Sequence, residues 1–367
     1  MRVLVISPKD PQVPKQLKLL MGGESTYTNM LLTHPPVGIT FDYFEDALRS
    51  GDISYHWSYY VLLFLQKLRI LPIGPRIQAF KIHAHYDAIY DHAYPVNQIS
   101  AIPIIASESS SNFIFLDQYL QLPKWYINIT YFFKKILFHI FDISDGEIRS
   151  EKFDNFFVFS KWAMRIKNSE FRIQNCRVVY PGLPIPKLKQ KGKRKLIKIL
   201  FVGVWFERKG GRILLDVFRN LRRKFTNIEL TILGELPKDL EVSKSEGITQ
   251  YNFVPYKTLL EYYASHDILV HVPPEIEGYG MTVPEAMSYG MCPVVSNICV
   301  LPEFVEHMKS GLVIDAGSQK NLEQALGKLI KNPKLIRQYG DAARNRFKQK
   351  FSLPVFQKKL LTLFNSV

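Results

Sequence analysis

Two glutamates eight residues apart, Glu277 and Glu285, bracket the segment Gly278-Tyr279-Gly280-Met281-Thr282-Val283-Pro284. The glycines let the backbone approach a ligand closely. The N–H groups of Met281 and Thr282, at the start of a helix and aided by its dipole, make an anion site. A carboxylate beside a phosphate repels it, so both glutamates are read as hydrogen-bond acceptors for hydroxyls that flank the phosphate. Phosphate in the middle with hydroxyls on both sides describes a nucleotide sugar. Upstream, Arg208 and Lys209 follow Gly203, where two cations between a strand and a helix can neutralise a diphosphate without a metal.

These side chains need elements to hold them. In residues 196–203 a β-branched apolar run ends in glycine, and in 212–225 the residues Ile213, Leu214, Val217, Phe218 and Leu221 recur at helical spacing. The unit repeats: strands at 228–234, 249–254, 268–272, 293–296 and 312–314, helices at 258–264 and 281–289. Such alternation predicts a parallel, doubly wound sheet. The first half alternates less regularly, with strands at 3–7, 88–90, 102–106, 155–159 and 177–180 and a helix near 27–32 after a Gly22-Gly23 turn. It reads as a second Rossmann-like domain. Between the halves, residues 187–198 carry seven basic residues and no acid after a proline-rich stretch, the mark of an exposed linker. The expected organisation is therefore an α/β chain of two Rossmann-like domains facing across a cleft. Residues 1–186 form the first domain, 187–351 the second and 352–367 a terminal helix, striped by Val355, Phe356, Leu360, Leu361 and Phe364, that returns to the first.

The motifs resemble those of the retaining glycosyltransferases of family 4, which have the two-domain GT-B fold. The resemblance rests on the glutamate pair followed by Ala286-Met287-Ser288-Tyr289-Gly290, and on Pro293-Val-Val-Ser296, Leu301-Pro302-Glu303, Gly311-Leu312-Val313, Phe201-Val-Gly203 and Arg208-Lys209-Gly210. It covers nearly all of residues 155–345. It implies that Glu277 contacts donor-sugar hydroxyls, that Glu285 contacts the nucleotide ribose, and that Arg208 and Lys209 stabilise the leaving diphosphate without a metal or other cofactor. Many relatives carry an arginine directly after the strand glycine; here Val204 stands there, which places more of that task on Lys209. Gly22-Gly23-Glu24 resembles the family's glycine turn, which faces the diphosphate from the other domain. The histidine that relatives place after the strand at 102–106 is replaced by Ser107-Glu108-Ser109-Ser110-Ser111, so Glu108, and after it His92, are the candidates for a polar contact to donor or acceptor.

The chain has 367 residues and a net charge of +15, which calls for an anionic partner: a phosphorylated substrate, an acidic membrane surface or nucleic acid. No helix-turn-helix, zinc-finger or RNA-recognition signature supports the last, so a nucleic-acid-binding protein is the weaker alternative. A GT-B-fold epimerase or phosphorylase is the alternative within enzymes. The three cysteines form no CxxC pair, and His83, His85 and His92 lack a matching carboxylate or cysteine set, so neither a disulfide framework nor a metal site is expected. A reducing, cytoplasmic setting fits. No uncharged apolar run reaches the length of a spanning helix. Residues 119–141 interleave Trp125, Tyr126, Tyr131, Phe132, Phe133 and Phe138 with Lys124, Lys134 and Lys135, and residues 53–71 have the same character. That pattern suits a segment lying on an anionic bilayer and equally a helix packed on the first domain's core. A lipid-linked or surface-glycan acceptor would need such a surface.

Overall fold

The computed structural model describes residues 1–8, 22–72, 75–97, 101–109, 111–171, 176–188 and 196–367. The chain divides into two units, Met1–Pro181 with Phe356–Val367, and Gly182–Val355. Each is built on its own six-stranded parallel sheet.

In the first unit the strands are β1 (Arg2–Ile6), β2 (Thr40–Tyr43), β3 (Ala88–His92), β4 (Ile104–Glu108), β5 (Asn155–Val158) and β6 (Cys176–Val178), ordered β6-β5-β4-β3-β1-β2. Val3, Leu4 and Val5 are fully buried, as an apolar run covered on both faces of a parallel sheet must be. The strand order reverses between β1 and β3. The edge strand β2 carries no apolar run and is only half-buried, so periodicity did not reveal it. Helix α1 spans Gly22–Thr33, α2 spans Trp57–Lys67, α3 spans Lys124–Ile140 and α4 spans Lys161–Phe171.

The second unit contains β7 (Ile197–Val202), β8 (Ile228–Leu233), β9 (Ile248–Tyr251), β10 (Ile268–His271), β11 (Cys292–Ser296) and β12 (Leu312–Ile314), in the order β9-β8-β7-β10-β11-β12. Its core joins the alternating residues of β7 and β8 to Leu214, Val217, Phe218 and Leu221 of helix α5 (Gly211–Lys224). Here the order reverses between β7 and β10, so the loops after these two strands leave the sheet side by side in the position where doubly wound sheets hold ligands.

Two boundaries differ from those expected. Residues 182–186 belong to the second unit because Leu183 is stitched into it: its N–H donates to the Phe351 carbonyl at 3.0 Å, and Leu353 N–H donates to the Leu183 carbonyl at 2.8 Å. Most of the basic linker, residues 189–195, lies outside the described residues. The terminal helix α8 (Leu353–Phe364) belongs to the first unit from Phe356 onward. There Phe356 meets the Tyr27 ring edge-on at 6.0 Å, and Asn155 Nδ2 donates to the Leu363 carbonyl at 3.1 Å.

Candidate functional site

The loop after β7 carries Lys209, and the loop after β10 carries Glu277. In the folded unit the Lys209 ammonium makes a short ion pair with Glu277 Oε2. The approach depends on Gly210, whose φ is +82°; a Cβ there would lie 2.1 Å from the Val272 carbonyl oxygen, so any larger residue would push the two loops apart. Arg208 donates through Nη1 to the Ile276 carbonyl at 3.2 Å, and its guanidinium lies 5.9 Å from the centre of the Trp205 ring. Both predicted cations therefore stand on the Glu277 loop. Val204 is exposed.

Glu277 is nearly inaccessible, and the same Oε2 that receives Lys209 also receives His271 Nε2 at 2.9 Å. Burial opposes its charge, but Lys209, His271 and Arg208 together hold the carboxyl far below the usual range. Burial lowers Lys209 by more than Glu277 restores, and lowers His271 against the pull of the same carboxylate. The site thus contains a fixed anion and a lysine whose positive charge costs free energy. A polyanionic ligand would take up that charge.

Glu285 sits in the first turn of α7 (Thr282–Ser288), with Met281 as the N-cap residue. Among the described residues it shares no hydrogen-bonding partner with Glu277. Its Oε1 accepts from Tyr256 OH at 3.1 Å and its Oε2 from Tyr263 OH at 2.8 Å, both on helix α6 (Tyr256–Ser265). Burial pushes its pKa up to about 7 against the lowering effect of the two hydroxyls. Between the glutamates, Gly280 has φ +68°, which accounts for glycine there, whereas a Cβ on Gly278 would meet nothing within 4 Å and leaves open space. Tyr279 is buried edge-on against Phe304 at 5.1 Å, and Gly203 packs against the Lys209 stem.

In the first unit the candidates are placed differently. Glu108, at the end of β4, pairs closely with Lys167 through Oε2 and accepts from Gly146 N–H at 3.0 Å through Oε1. Behind it, Lys134 pairs with Asp145 at 2.6 Å and Glu147 at 3.3 Å, and Glu147 also accepts from Ser111 and Tyr131 hydroxyls. Burial raises Glu108 to about 7; Lys167 lowers it, while Glu147 and Asp145 raise it further. His92 is fully buried, stacked on Phe159 at 4.8 Å, with Nδ1 at 2.8 Å from Ser107 Oγ. Gly22 and Gly23 do not form a turn ahead of the helix: they are its first two residues, and the segment 9–21 that leads into them lies outside the described residues. Among the described residues no group of three or more His, Cys, Asp or Glu is placed to hold a metal ion.

Helix α3 resolves the two readings of its sequence into two faces. Ile127, Tyr131, Lys134 and Phe138 are buried, while Trp125, Ile129, Phe132 and Ile140 are at least half exposed. Lys134 therefore serves the buried ion cluster and is unavailable to a surface, which corrects its grouping with Lys124 and Lys135.

Three side chains that hold the two glutamates escaped the sequence reading. His271 ends an apolar strand, and nothing in that run marks it out. Tyr256 and Tyr263 lie seven apart on one helix, a spacing that puts both on one face, and that was the available signal.

The two doubly wound units define a GT-B fold. Residues 185–346 match the family model of the glycosyl transferases group 1. An uncharacterized glycosyltransferase of Haemophilus influenzae is 29% identical over 195 residues, which are 50% of this chain and 52% of that protein. The capsular polysaccharide biosynthesis glycosyltransferase CapM of Staphylococcus aureus is 25% identical over 172 residues, 45% of each chain. The matches thus span about half the length of these curated relatives. Anabaena HepE, solved in complex with UDP and glucose, shares the fold over 100% of both chains with a TM-score of 0.63 and 13% identity. Residues 185–346 are thus similar to the glycosyl transferases group 1, in a chain with the GT-B fold.

Proposed function

We propose that the protein is a retaining glycosyltransferase of family 4 that moves a hexose from a nucleotide diphosphate sugar to a hydroxyl of a lipid-linked or surface-glycan precursor. The observation that carries this reading is the meeting of Lys209 and Glu277 from the two loops at the strand-order reversal of the second unit. In this reading the diphosphate displaces Glu277 from Lys209 and takes up the lysine's charge, Arg208 adds to the field, and no metal is required. Glu277 accepts from the sugar hydroxyls and Glu285 from the ribose. The bond from the anomeric carbon to the acceptor oxygen forms on the face where the bond to the diphosphate breaks, and the acceptor proton passes to the leaving diphosphate. The second unit holds the donor and the first unit the acceptor.

The capsular polysaccharide relative supports a glycan acceptor, and HepE's complex supports a uridine donor. A lipid carrier is supported by the exposed Trp57, Tyr60 and Phe64 of α2 and the exposed face of α3, with Lys124 and Lys135 nearby in sequence, a composition suited to peripheral binding at an anionic cytoplasmic membrane face. Among the described residues no helix is long and apolar enough to cross a membrane. A thermal-shift panel of nucleotide sugars identifies the donor, and assays with that donor then measure release of nucleoside diphosphate with and without glycan-lipid acceptors. Acceptor-dependent release with the α-linked product is the expected result. Interconversion of the sugar without an acceptor would point instead to an epimerase.

A further inference from the structure

His271 is the last residue of β10, pairs in register with Val295 of β11, and is completely buried. A polar ring at that position costs desolvation free energy unless it makes hydrogen bonds. It makes one: Nε2 to Glu277 Oε2 at 2.9 Å, while Nδ1 finds no partner among the described residues. A neutral imidazole has one N–H, and a carboxylate only accepts, so the proton is on Nε2 and the unpartnered Nδ1 is the bare nitrogen. The ring is therefore a fixed, uncharged donor aimed at one oxygen of Glu277. Lys209, the other donor to that oxygen, is on a flexible stem and half-buried.

We propose that His271 is a positioning residue for the donor sugar: it holds Glu277 Oε2 from the strand, so that Oε1 is presented to the sugar hydroxyls while Lys209 exchanges the carboxylate for the diphosphate. The inference rests on the donor-site reading above. An imidazole suits the task because it keeps its bond to Oε2 when the lysine departs and adds no second cation to compete for the diphosphate. An apolar residue at 271 would pack equally well in the strand but would leave Glu277 free to rotate once Lys209 has moved.

The test uses two amides of like polarity. In His271→Gln the side-chain nitrogen reaches the place of Nε2; in His271→Asn it reaches only that of Nδ1. Affinities for UDP-glucose and for UDP are measured by calorimetry on both variants, on Glu277→Gln and on the wild-type chain, with melting temperatures as the folding check. His271→Asn should lose about tenfold in UDP-glucose affinity while UDP affinity stays within about twofold, and His271→Gln should restore most of the loss. Equal weakening of UDP and UDP-glucose in His271→Asn, or equal behaviour of the two amides, would overturn the positioning role. If Glu277→Gln leaves the ratio of the two affinities at its wild-type value, the donor-site reading itself fails and takes the role of His271 with it. A changed ratio in Glu277→Gln with none in His271→Asn removes His271 alone.

Discussion

Each unit pairs a lysine with a glutamate at the carboxyl end of its parallel sheet, and the two pairs have opposite electrostatic character. In the second unit one carboxylate, Glu277, faces Lys209, His271 and Arg208, so it stays ionised and far below the ordinary range while the lysine is depressed. In the first, Lys167 and Lys134 face Glu108, Glu147 and Asp145, with Asp91 near Glu108 and Asp145. Glu147 takes most of the cationic field: burial opposes its charge, yet Lys167, Lys134 and two hydroxyls hold it at about 2. Glu108 is left near 7, and Asp91 is raised well above the usual range, first by burial and then by Glu108. Cations in excess favour an anionic ligand, whereas acids in excess leave both buried lysines paired within the unit. A lysine and a glutamate near a strand end therefore do not by themselves point to a ligand; the surplus charge around them is what separates the two pairs.

The largest test of that contrast is Lys209→Ala. If the lysine faces charge that develops as the diphosphate leaves, kcat should fall by a factor on the order of 10²–10³, with a smaller effect on donor binding. Steady-state kinetics check it, and an unchanged kcat would make the second pair as structural as the first. Glu277→Gln keeps the shape but removes the anion, and should lower kcat by roughly tenfold or more and alter the preference among donor sugars.

Glu285 should show its effect in the donor KM. With its pKa near 7 it gains charge between about pH 6 and pH 8 and becomes a better acceptor for ribose hydroxyls, so KM should fall over that interval, and the fall should vanish in Glu285→Gln. Initial-rate measurements across the interval decide this.

Folding stability should separate the two pairs by the sign of its pH slope. Folded Glu108 keeps its proton to about pH 7, against 4.5 for the ordinary group, so its contribution is complete at acid pH and is lost as pH rises through that window. Glu277 behaves oppositely: its depressed pKa adds stability above the ordinary carboxyl value, which is lost as pH falls toward its own. Melting curves should show the wild-type advantage over Glu108→Gln shrinking between about pH 5 and pH 8. The advantage over Glu277→Gln should grow from strongly acid pH to about pH 5 and then level off.

The smallest effect concerns the surface. Flotation with anionic vesicles should retain the chain at low salt and lose it as salt rises, since each basic residue near such a surface contributes about 1 kcal/mol. Replacing Trp125 and Phe132 with serine should weaken retention. Full retention by that variant would remove α3 from the contact.

The two units were unequally legible in the sequence. In the second, strands such as β7 and β10 are uninterrupted apolar runs closed by loops rich in glycine or proline, and Lys209 and Glu277 each follow one directly. Their separate placement could be read; their meeting could not, because it depends on β7 and β10 being neighbours in the sheet. His271 was hidden by the apolar residues around it. In the first unit, Glu108 stands among serines and reads as a candidate contact to donor or acceptor, since nothing local announces that Lys167, far along the chain, will reach it. For Lys134 and Lys135 the sequence left surface and core equally open, because one helical step separates the two.

That single step makes α3 a built-in reporter. Lys135 is exposed, whereas Lys134 and Lys167 are sealed within the acid cluster. An amine-selective reagent such as a small acetylating agent should modify Lys135 within its ordinary reaction time and reach the other two only when the first unit opens. The ratio of modification at two adjacent lysines, read in one peptide by mass spectrometry, would then measure how often that unit breathes without any engineered probe.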